Sequence, residues 1–153
     1  PPRSTLFPYT TLFRSEIPST FTPTPPPTSS PGCGETGVAI WMPSALFRTG
    51  DVCECRATVC NATGGTIENH PLFVILDVYQ TYFFAPDFSS YDNYLDEYPT
   101  FGPGETVVQV LPQFAWPAGA GSASGIRWYA AMTDPSISEL YGTLGSFTFG
   151  WME

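Results

Sequence analysis

Short apolar segments separated by turn residues constrain the fold of this chain more than any other feature. The clearest is Asp51–Cys60, in which Cys53, Cys55, Ala57 and Val59 alternate with polar residues. A period of two is typical of a strand with one buried face. Six further segments alternate in this way or are apolar throughout: Thr36–Met42, Leu72–Tyr79, Tyr82–Ala85, Glu105–Leu111, Ile126–Met132 and Gly145–Trp151.

The seven segments are separated by glycine, proline, asparagine and aspartate, and none of them has a helical period. Seven short strands with such turns predict an all-β fold, an antiparallel immunoglobulin-like β-sandwich. The inward residues of the strands would form its core. In Ile126–Met132 the alternation places Trp128 inside and Tyr129 outside.

The N-terminal residues lack this pattern. Pro1–Ser15 back-translates, in one reading frame, to a sequencing-library adapter, so we expect it to be an assembly artefact and the true protein to extend further towards its N-terminus. Residues 16–34 are rich in proline, serine and threonine, which favours an extended spacer. The predicted organisation is therefore a disordered tail, with an artefact over 1–15 and a linker over 16–34, followed by a sandwich over 35–153.

Charge and hydropathy exclude two classes of partner. The chain has five basic residues against fourteen acidic ones, for a formal net charge of −9. Nucleic acids and anionic lipid surfaces are bound through basic patches, which such a chain cannot form. No apolar run approaches the roughly 18 residues needed to cross a bilayer. We expect neither nucleic-acid binding nor membrane insertion.

Several motifs, taken in order, resemble the bacterial cell-adhesion-related (CARDB-like) Ig-like domains. They are TGD before the second strand, TVCNATGG at its end, GPGETVVQV, and WYAAMTDPSISELYG. The resemblance covers about Thr36–Trp151, and the sequence departs from the pattern in a long aromatic and acidic insertion, Pro86–Phe101. The full run also resembles C-terminal domains of large secreted proteins of uncultured bacteria, which follow Pro/Thr-rich linkers.

The resemblance implies a non-catalytic extracellular or cell-surface module, acting in adhesion, assembly or attachment at the C-terminus of a larger protein. Its signal peptide would be lost with the missing N-terminus. The resemblance does not imply a ligand, and we expect a protein or glycan surface partner of unspecified identity. A carbohydrate-binding module tethered to an upstream hydrolase is the alternative, and a small enzyme in its own right is the second.

The insertion and the strand before it concentrate aromatic side chains. Exposed rings beside carboxylates are typical of sugar binding, but the same rings suit a protein–protein patch, a covered sheet edge or plain packing. The candidate ligand-binding residues are Tyr82, Phe84, Phe88, Tyr91, Tyr94 and Tyr98.

The same insertion clusters acidic residues. Carboxylates in a loop can hold calcium through their oxygens, although the spacing here is not that of an EF-hand, and a solvated acidic loop is the alternative. The candidate calcium ligands are Asp87, Asp92, Asp96 and Glu97. We expect no other cofactor.

Two further motifs have simple structural interpretations. His70 is the only histidine and lies in a loop without a G-x-S-x-G motif, so a solvated side chain is favoured over a catalytic base. Asn61-Ala62-Thr63 is an N-glycosylation sequon, which in a bacterial chain we expect to be a turn with Asn61 in a left-handed conformation.

The four cysteines predict one disulfide. Their spacing on a strand, C-x-C-x4-C, is not that of a zinc knuckle. A strand rises about 3.3 Å per residue, so Cys53 and Cys55 lie too far from Cys60 to be bridged to it. Antiparallel pairing of the first two strands would bring Cys33 beside Cys60. We therefore predict a Cys33–Cys60 disulfide, with Cys53 and Cys55 as small core residues.

Overall fold

The computed structural model describes residues 33–89, 93–95 and 100–153. These residues form ten strands, and the described part of the chain contains no helix. The strands are β1 (Gly37–Trp41), β2 (Leu46–Phe47), β3 (Val52–Asn61), β4 (Ile67–Glu68), β5 (Leu72–Val78), β6 (Thr81–Phe84), β7 (Thr100–Phe101), β8 (Gly104–Ala115), β9 (Ala123–Thr133) and β10 (Leu140–Trp151). The all-β prediction is confirmed.

Eight of these strands form one curled sheet that encloses the core between two layers. In one layer, β1, β3 and β8 pair antiparallel in that order. In the other, β6, β5, β9 and β10 pair antiparallel in that order, and β2 adds to β10. A parallel bridge between Gly37 and Thr143 connects β1 to β10 and joins the two layers. Strands β4 and β7 form a separate small pair.

The seven predicted strands are all present, and the differences from the prediction are local. β2, β4 and β7 have two residues each, which is too short for a period to show in the sequence. The pairing is also not antiparallel throughout, because β10 runs parallel to both β1 and β2. The last strand therefore lies between neighbours of both directions.

The inward residues predicted by the alternation are buried. Trp128 is fully buried in β9, whereas its neighbour Tyr129 is only half-buried. The assignment of faces in this strand is therefore correct. The predicted inward residues that lie in the core are Cys53, Cys55, Ala57, Val59, Ile126, Trp128, Ala130, Met132, Phe147, Phe149 and Trp151.

The side chain of Asn61 holds the end of β3 in place through hydrogen bonds, and its backbone does not adopt the left-handed conformation expected of it. Its side chain is buried, with Nδ2 donating to the carbonyl oxygens of Gly65 at 2.6 Å and Phe101 at 2.9 Å. Its Oδ1 accepts from the backbone N–H of Thr63 at 3.0 Å. The left-handed residue in this turn is Gly64, at φ +76°. The sequon is thus a structural anchor whose amide nitrogen is engaged within the fold.

The junction between β1 and β10 requires residues without a side chain. A Cβ on Gly37 would collide with Thr143, and a Cβ on Gly145 would collide with the carbonyl oxygen of Val38 and lie 2.9 Å from the Cα of Ala39. Real side chains do not approach a backbone this closely. Glycine therefore allows the two layers to meet backbone to backbone.

Gly145→Ala should lower the free energy of unfolding by about 1–3 kcal/mol, because the new methyl group forces the two backbones apart. The matched control is Gly65→Ala, where the added Cβ meets open space and a change below about 0.5 kcal/mol is expected. Urea unfolding of both variants measures the difference. Equal losses in the two would show that the close approach of β1 and β10 does not limit stability.

Candidate functional site

Three neighbouring strands turn a set of aromatic side chains away from the core. In β5 the residues alternate between buried and half-buried, and the cross-strand register places Ile75 between Phe84 of β6 and Tyr129 of β9. We use the name aromatic face for the outward residues of these strands and of the segment that follows β6. They are Phe73, Ile75, Tyr82, Phe84, Tyr94 and Tyr129.

The aromatic face is held by backbone pairing. Tyr82 is its most exposed ring, with 47% of its surface accessible. Tyr94 joins the face because the backbone N–H of Leu95 donates to the carbonyl oxygen of Leu72 at 2.9 Å, which lays this segment along β5. The rings of Phe73 and Tyr94 are then 5.4 Å apart, in a tilted contact. The rings are therefore presented largely on regular strands.

Two residues of opposite charge, on neighbouring strands, border the aromatic face. Asp77 of β5 lies opposite Arg127 of β9 in the strand register. The guanidinium of Arg127 donates to the hydroxyl of Tyr129 at 3.0 Å and to the hydroxyl of Thr148 at 3.3 Å. The hydrogen bond to Tyr129 raises the pKa of Arg127 above its ordinary value. The border of the aromatic face therefore carries the guanidinium of Arg127 in a fixed orientation, 5.8 Å from the centroid of the Tyr129 ring.

The structure brings together only some of the residues predicted to bind a ligand. Tyr82, Phe84 and Tyr94 belong to the aromatic face, while Tyr91 and Tyr98 lie outside the described residues.

Phe88 lies apart from the aromatic face. Its half-buried ring packs edge-on against Trp128, with centroids 6.0 Å apart, so it borders the core, and its predicted role in ligand binding stays a prediction. This packing has no signal in the alternation, because the residue sits in a turn with a left-handed φ of +54°.

Five members and neighbours of the site were not predicted from the sequence. They point outward from β5 and β9, as their positions in the strands indicate: Phe73, Ile75, Asp77, Arg127 and Tyr129. What the alternation cannot indicate is that β5 pairs with β9 and so places these residues beside Tyr82 and Phe84. The site is therefore assembled by the order of the strands in the sheet.

Asp87 is the one predicted calcium ligand within the described residues. Its carboxylate accepts from the side-chain amide of Asn93 at 3.0 Å and from the backbone N–H of Ser89 at 3.1 Å. These hydrogen bonds, that of Asn93 first, lower the pKa of Asp87. Asp92, Asp96 and Glu97 lie outside the described residues, and within those residues no group of three or more His, Cys, Asp or Glu side chains is close enough to hold a metal ion. Calcium binding stays a prediction.

Asn93→Ala should raise the pKa of Asp87 towards its ordinary value, because it removes the strongest hydrogen bond to the ionised form. An NMR titration of the side-chain carboxyl carbon measures this. The lowered pKa also makes the stability of the fold depend on pH. The stabilisation from ionised Asp87 is fully present above its pKa in the unfolded chain, about 4, and is lost as the pH falls through its lower pKa in the folded protein. An unchanged titration in the variant would mean that Asn93 does not hold this carboxylate.

The structure joins Cys33 to Cys60 in a disulfide, with their Cα atoms 5.3 Å apart. The antiparallel register of β1 and β3 places Gly37 opposite Cys60, which brings Cys33 to the same end. Cys53 and Cys55 are free and buried. Burial, with the nearby charge of Glu54, raises the pKa of Cys53 to about 12, and burial also raises that of Cys55. These two thiols therefore stay protonated and unreactive.

The double variant Cys33→Ser/Cys60→Ser should lose about 3–4 kcal/mol of unfolding free energy, because the crosslink restricts the unfolded chain. Urea unfolding with and without reductant measures it. Reductant should destabilise the parent protein to the level of the variant and leave the variant unchanged. Full stability of the parent after complete reduction would contradict a stabilising role for the disulfide.

The side chain of His70 is held by two contacts within the fold. Its ring nitrogen Nδ1 donates to the carbonyl oxygen of Glu68 at 2.7 Å, and its ring lies 4.1 Å from that of Tyr141. These contacts fix the imidazole beside the end of the β9–β10 hairpin.

In the described part of the chain, no helix has the length and apolar character required to span a membrane.

Comparison with solved structures finds two structures of one CARDB domain among those similar to this chain. The solution NMR structure of the CARDB domain of PF1109 from Pyrococcus furiosus matches with a TM-score of 0.47 and 18% sequence identity, covering 77% of this chain and 95% of that one. A crystal structure of the same domain in complex with di-metal ions matches with a TM-score of 0.45 and 18% identity, covering 78% and 96%. No family model and no curated protein sequence matches the chain.

Proposed function

We propose that the chain is a non-catalytic Ig-like binding module that acts outside the cell in adhesion, assembly or attachment. The observation that carries the proposal is the aromatic face, where rings on β5, β6 and β9 point to solvent beside an oriented arginine. Tyrosine, phenylalanine and arginine are enriched in the binding surfaces of proteins. The partner is a protein or glycan of a cell surface or of the surrounding matrix.

Two other observations support an extracellular setting. The Cys33–Cys60 disulfide is of the kind that persists in oxidising compartments. Residues 16–34 have the composition of the spacers that separate modules in secreted proteins. In such a setting the spacer would let the module reach its partner at a distance from the rest of the protein.

A carbohydrate-binding module is the second candidate. Tyr82 favours it, because a half-exposed ring on a rigid strand can stack on the apolar face of a sugar while Asp77 accepts from the sugar hydroxyls. The two candidates use the same aromatic face. They differ in whether a purified glycan is sufficient for binding.

Replacement of Tyr82 and Arg127 by alanine should abolish binding while leaving the fold intact. Both side chains are exposed, so each change should alter the unfolding free energy by less than about 0.5 kcal/mol, whereas a central binding residue contributes about 2 kcal/mol or more to affinity. Binding of labelled protein to immobilised bacterial envelopes and to a glycan array measures the effect.

The matched control is Trp41→Ala. Trp41 is 38% exposed and contacts Arg56 on the outer side of the other layer, so it offers a similar ring away from the aromatic face. Its loss should leave binding unchanged. Protease treatment of the envelopes separates a protein partner from a glycan. Binding that survives the double replacement but is lost in Trp41→Ala would place the binding surface on the other layer.

A further inference from the structure

The curled sheet ends at a long strand whose outer edge is open. β8 has twelve residues, and among the strands that the structure describes it pairs only with β3. On the side away from β3, the backbone N–H and C=O groups of its first half, residues 104–110, meet no other described strand. Such an edge is a template for pairing with a strand of another chain. The aromatic face lies on the other layer of the sandwich, so the edge of β8 is a separate feature.

The opposite edge of the sheet is built differently. β6 has only four residues, and the backbone N–H of Phe84 donates to the carbonyl oxygen of Ser89 at 2.9 Å. The chain that follows β6 therefore folds back against this edge. Short edge strands and covered edges are two of the ways in which proteins prevent pairing with other chains. β6 has both of these protections.

The two halves of β8 differ in their protection. In the second half, register shifts against β3 and Pro112 interrupt the ladder. In the first half, residues 104–109 pair with β3 one to one. Glu105 is the only charged residue of the whole strand, and Val107 keeps 58% of its surface exposed. The first half is thus a regular and nearly uncharged edge without the lysines that usually blunt one.

The sequence of this half is complementary to itself across a two-fold axis. If two copies pair antiparallel with Val107 opposite Val107, then Glu105 lies opposite Gln109 of the second copy and Thr106 lies opposite Val108. β-Branched pairs stabilise neighbouring strands, whereas like charges directly opposite destabilise them. At 3.3 Å per residue the two Glu105 positions are about 13 Å apart along the strands. The paired stretch, residues 105–109, ends before the proline and the register shifts.

The neighbouring strand adds charge complementarity. Arg56 of β3 lies opposite Gln109 of β8 on the outer side of this layer, and its side chain keeps 43% of its surface exposed. In the two-fold pair, Glu105 of each copy lies two strands away from Arg56 of the other. The strand spacing makes this about 10 Å between backbones, which two long side chains can span. Each edge therefore brings an acidic side chain towards a basic one, twice by symmetry.

From these features we propose that the chain forms a homodimer in which residues 105–109 of β8 pair antiparallel with the same residues of a second copy, with Val107 on the two-fold axis. The layer of β1, β3 and β8 then continues into the same three strands of the second copy. The contact is isologous, so it closes at two copies. Both aromatic faces stay uncovered, and two linked faces would hold a repetitive surface more tightly than one. Two short edges bury less than the roughly 1,600 Å² of a standard interface, so dissociation in the micromolar to millimolar range is expected.

Sedimentation equilibrium of the whole chain over this concentration range tests the dimer. Val107→Lys and Val107→Glu each place two like charges face to face, and each should weaken dimerisation by roughly tenfold or more. An equal mixture of the two variants should form a heterodimer at least as tight as the parent dimer, because a lysine then faces a glutamate. The side chain at this position is exposed, so circular dichroism should show both variants folded as the parent.

The matched control is Val52→Lys. Val52 is a valine of β3 that is 50% exposed and does not lie on the edge. The replacement changes the net charge exactly as Val107→Lys does, and dimerisation should stay within about twofold of the parent. Because lysine reduces the net negative charge of the chain, general repulsion between copies cannot explain a loss in Val107→Lys.

Hydrogen exchange provides a measurement on the unaltered protein. Raising the concentration should slow the exchange of those backbone amides within residues 105–109 that point away from β3. The amides of β6, at the other edge of the sheet, should exchange at the same rate throughout.

Several results would overturn the proposal. A parent chain that stays monomeric to millimolar concentration has no such dimer, and species that grow beyond two copies do not have a closed contact. A dimer that Val107→Lys leaves unchanged, or that Val52→Lys weakens equally, does not form through the edge of β8. A mixture of the two Val107 variants that stays monomeric would show that this residue does not face itself across the axis.

Discussion

The close approach of β1 to β10 is the contact on which the rest of this structure depends. β1 pairs antiparallel with β3 on one side and meets β10 in parallel on the other, and this is the connection that makes one curled sheet from two layers. Glycines at 37 and 145 make the approach sterically feasible. The same geometry brings the start of β1 to the end of β3, where the Cys33–Cys60 disulfide forms. The two layers, and with them the core and the outer surfaces, are therefore joined at one backbone junction.

Strand β9 contributes to both the core and the aromatic face through its alternation. Trp128 points inward, where its ring packs on Phe149, while Tyr129 points outward to the aromatic face. A shift of the register by one residue would exchange these two side chains and disrupt both the core and the aromatic face. Because a buried tryptophan is costly to expose, the hydrophobic core fixes the register, and the register in turn presents the outer rings.

Apolar runs and alternation in the sequence were sufficient to predict the seven longer strands, and alternation also predicted the inward residues of β3, β9 and β10, because burial imposes a period of two on each strand separately. It was insufficient for features that arise between strands. The adjacency of β5 and β9 assembles the aromatic face. Local conformation was a second feature that alternation does not predict. Phe88, at a left-handed φ, packs against Trp128, and a buried hydrogen-bond network determines the role of Asn61.

The way each site is held also bears on how it would recognise a partner. Most of the candidate rings were predicted in the insertion, yet the described rings of the aromatic face lie on β5, β6 and β9 or are held along β5 by a backbone hydrogen bond. Side chains fixed in this way lose little conformational entropy on binding, so a larger part of each contact contributes to affinity. Arg127 is oriented by two hydroxyl groups before any partner arrives, which favours a partner whose acceptors match that direction. Under the proposed function, preorganised strands, more than an adaptable loop, would therefore be the physical basis for selectivity.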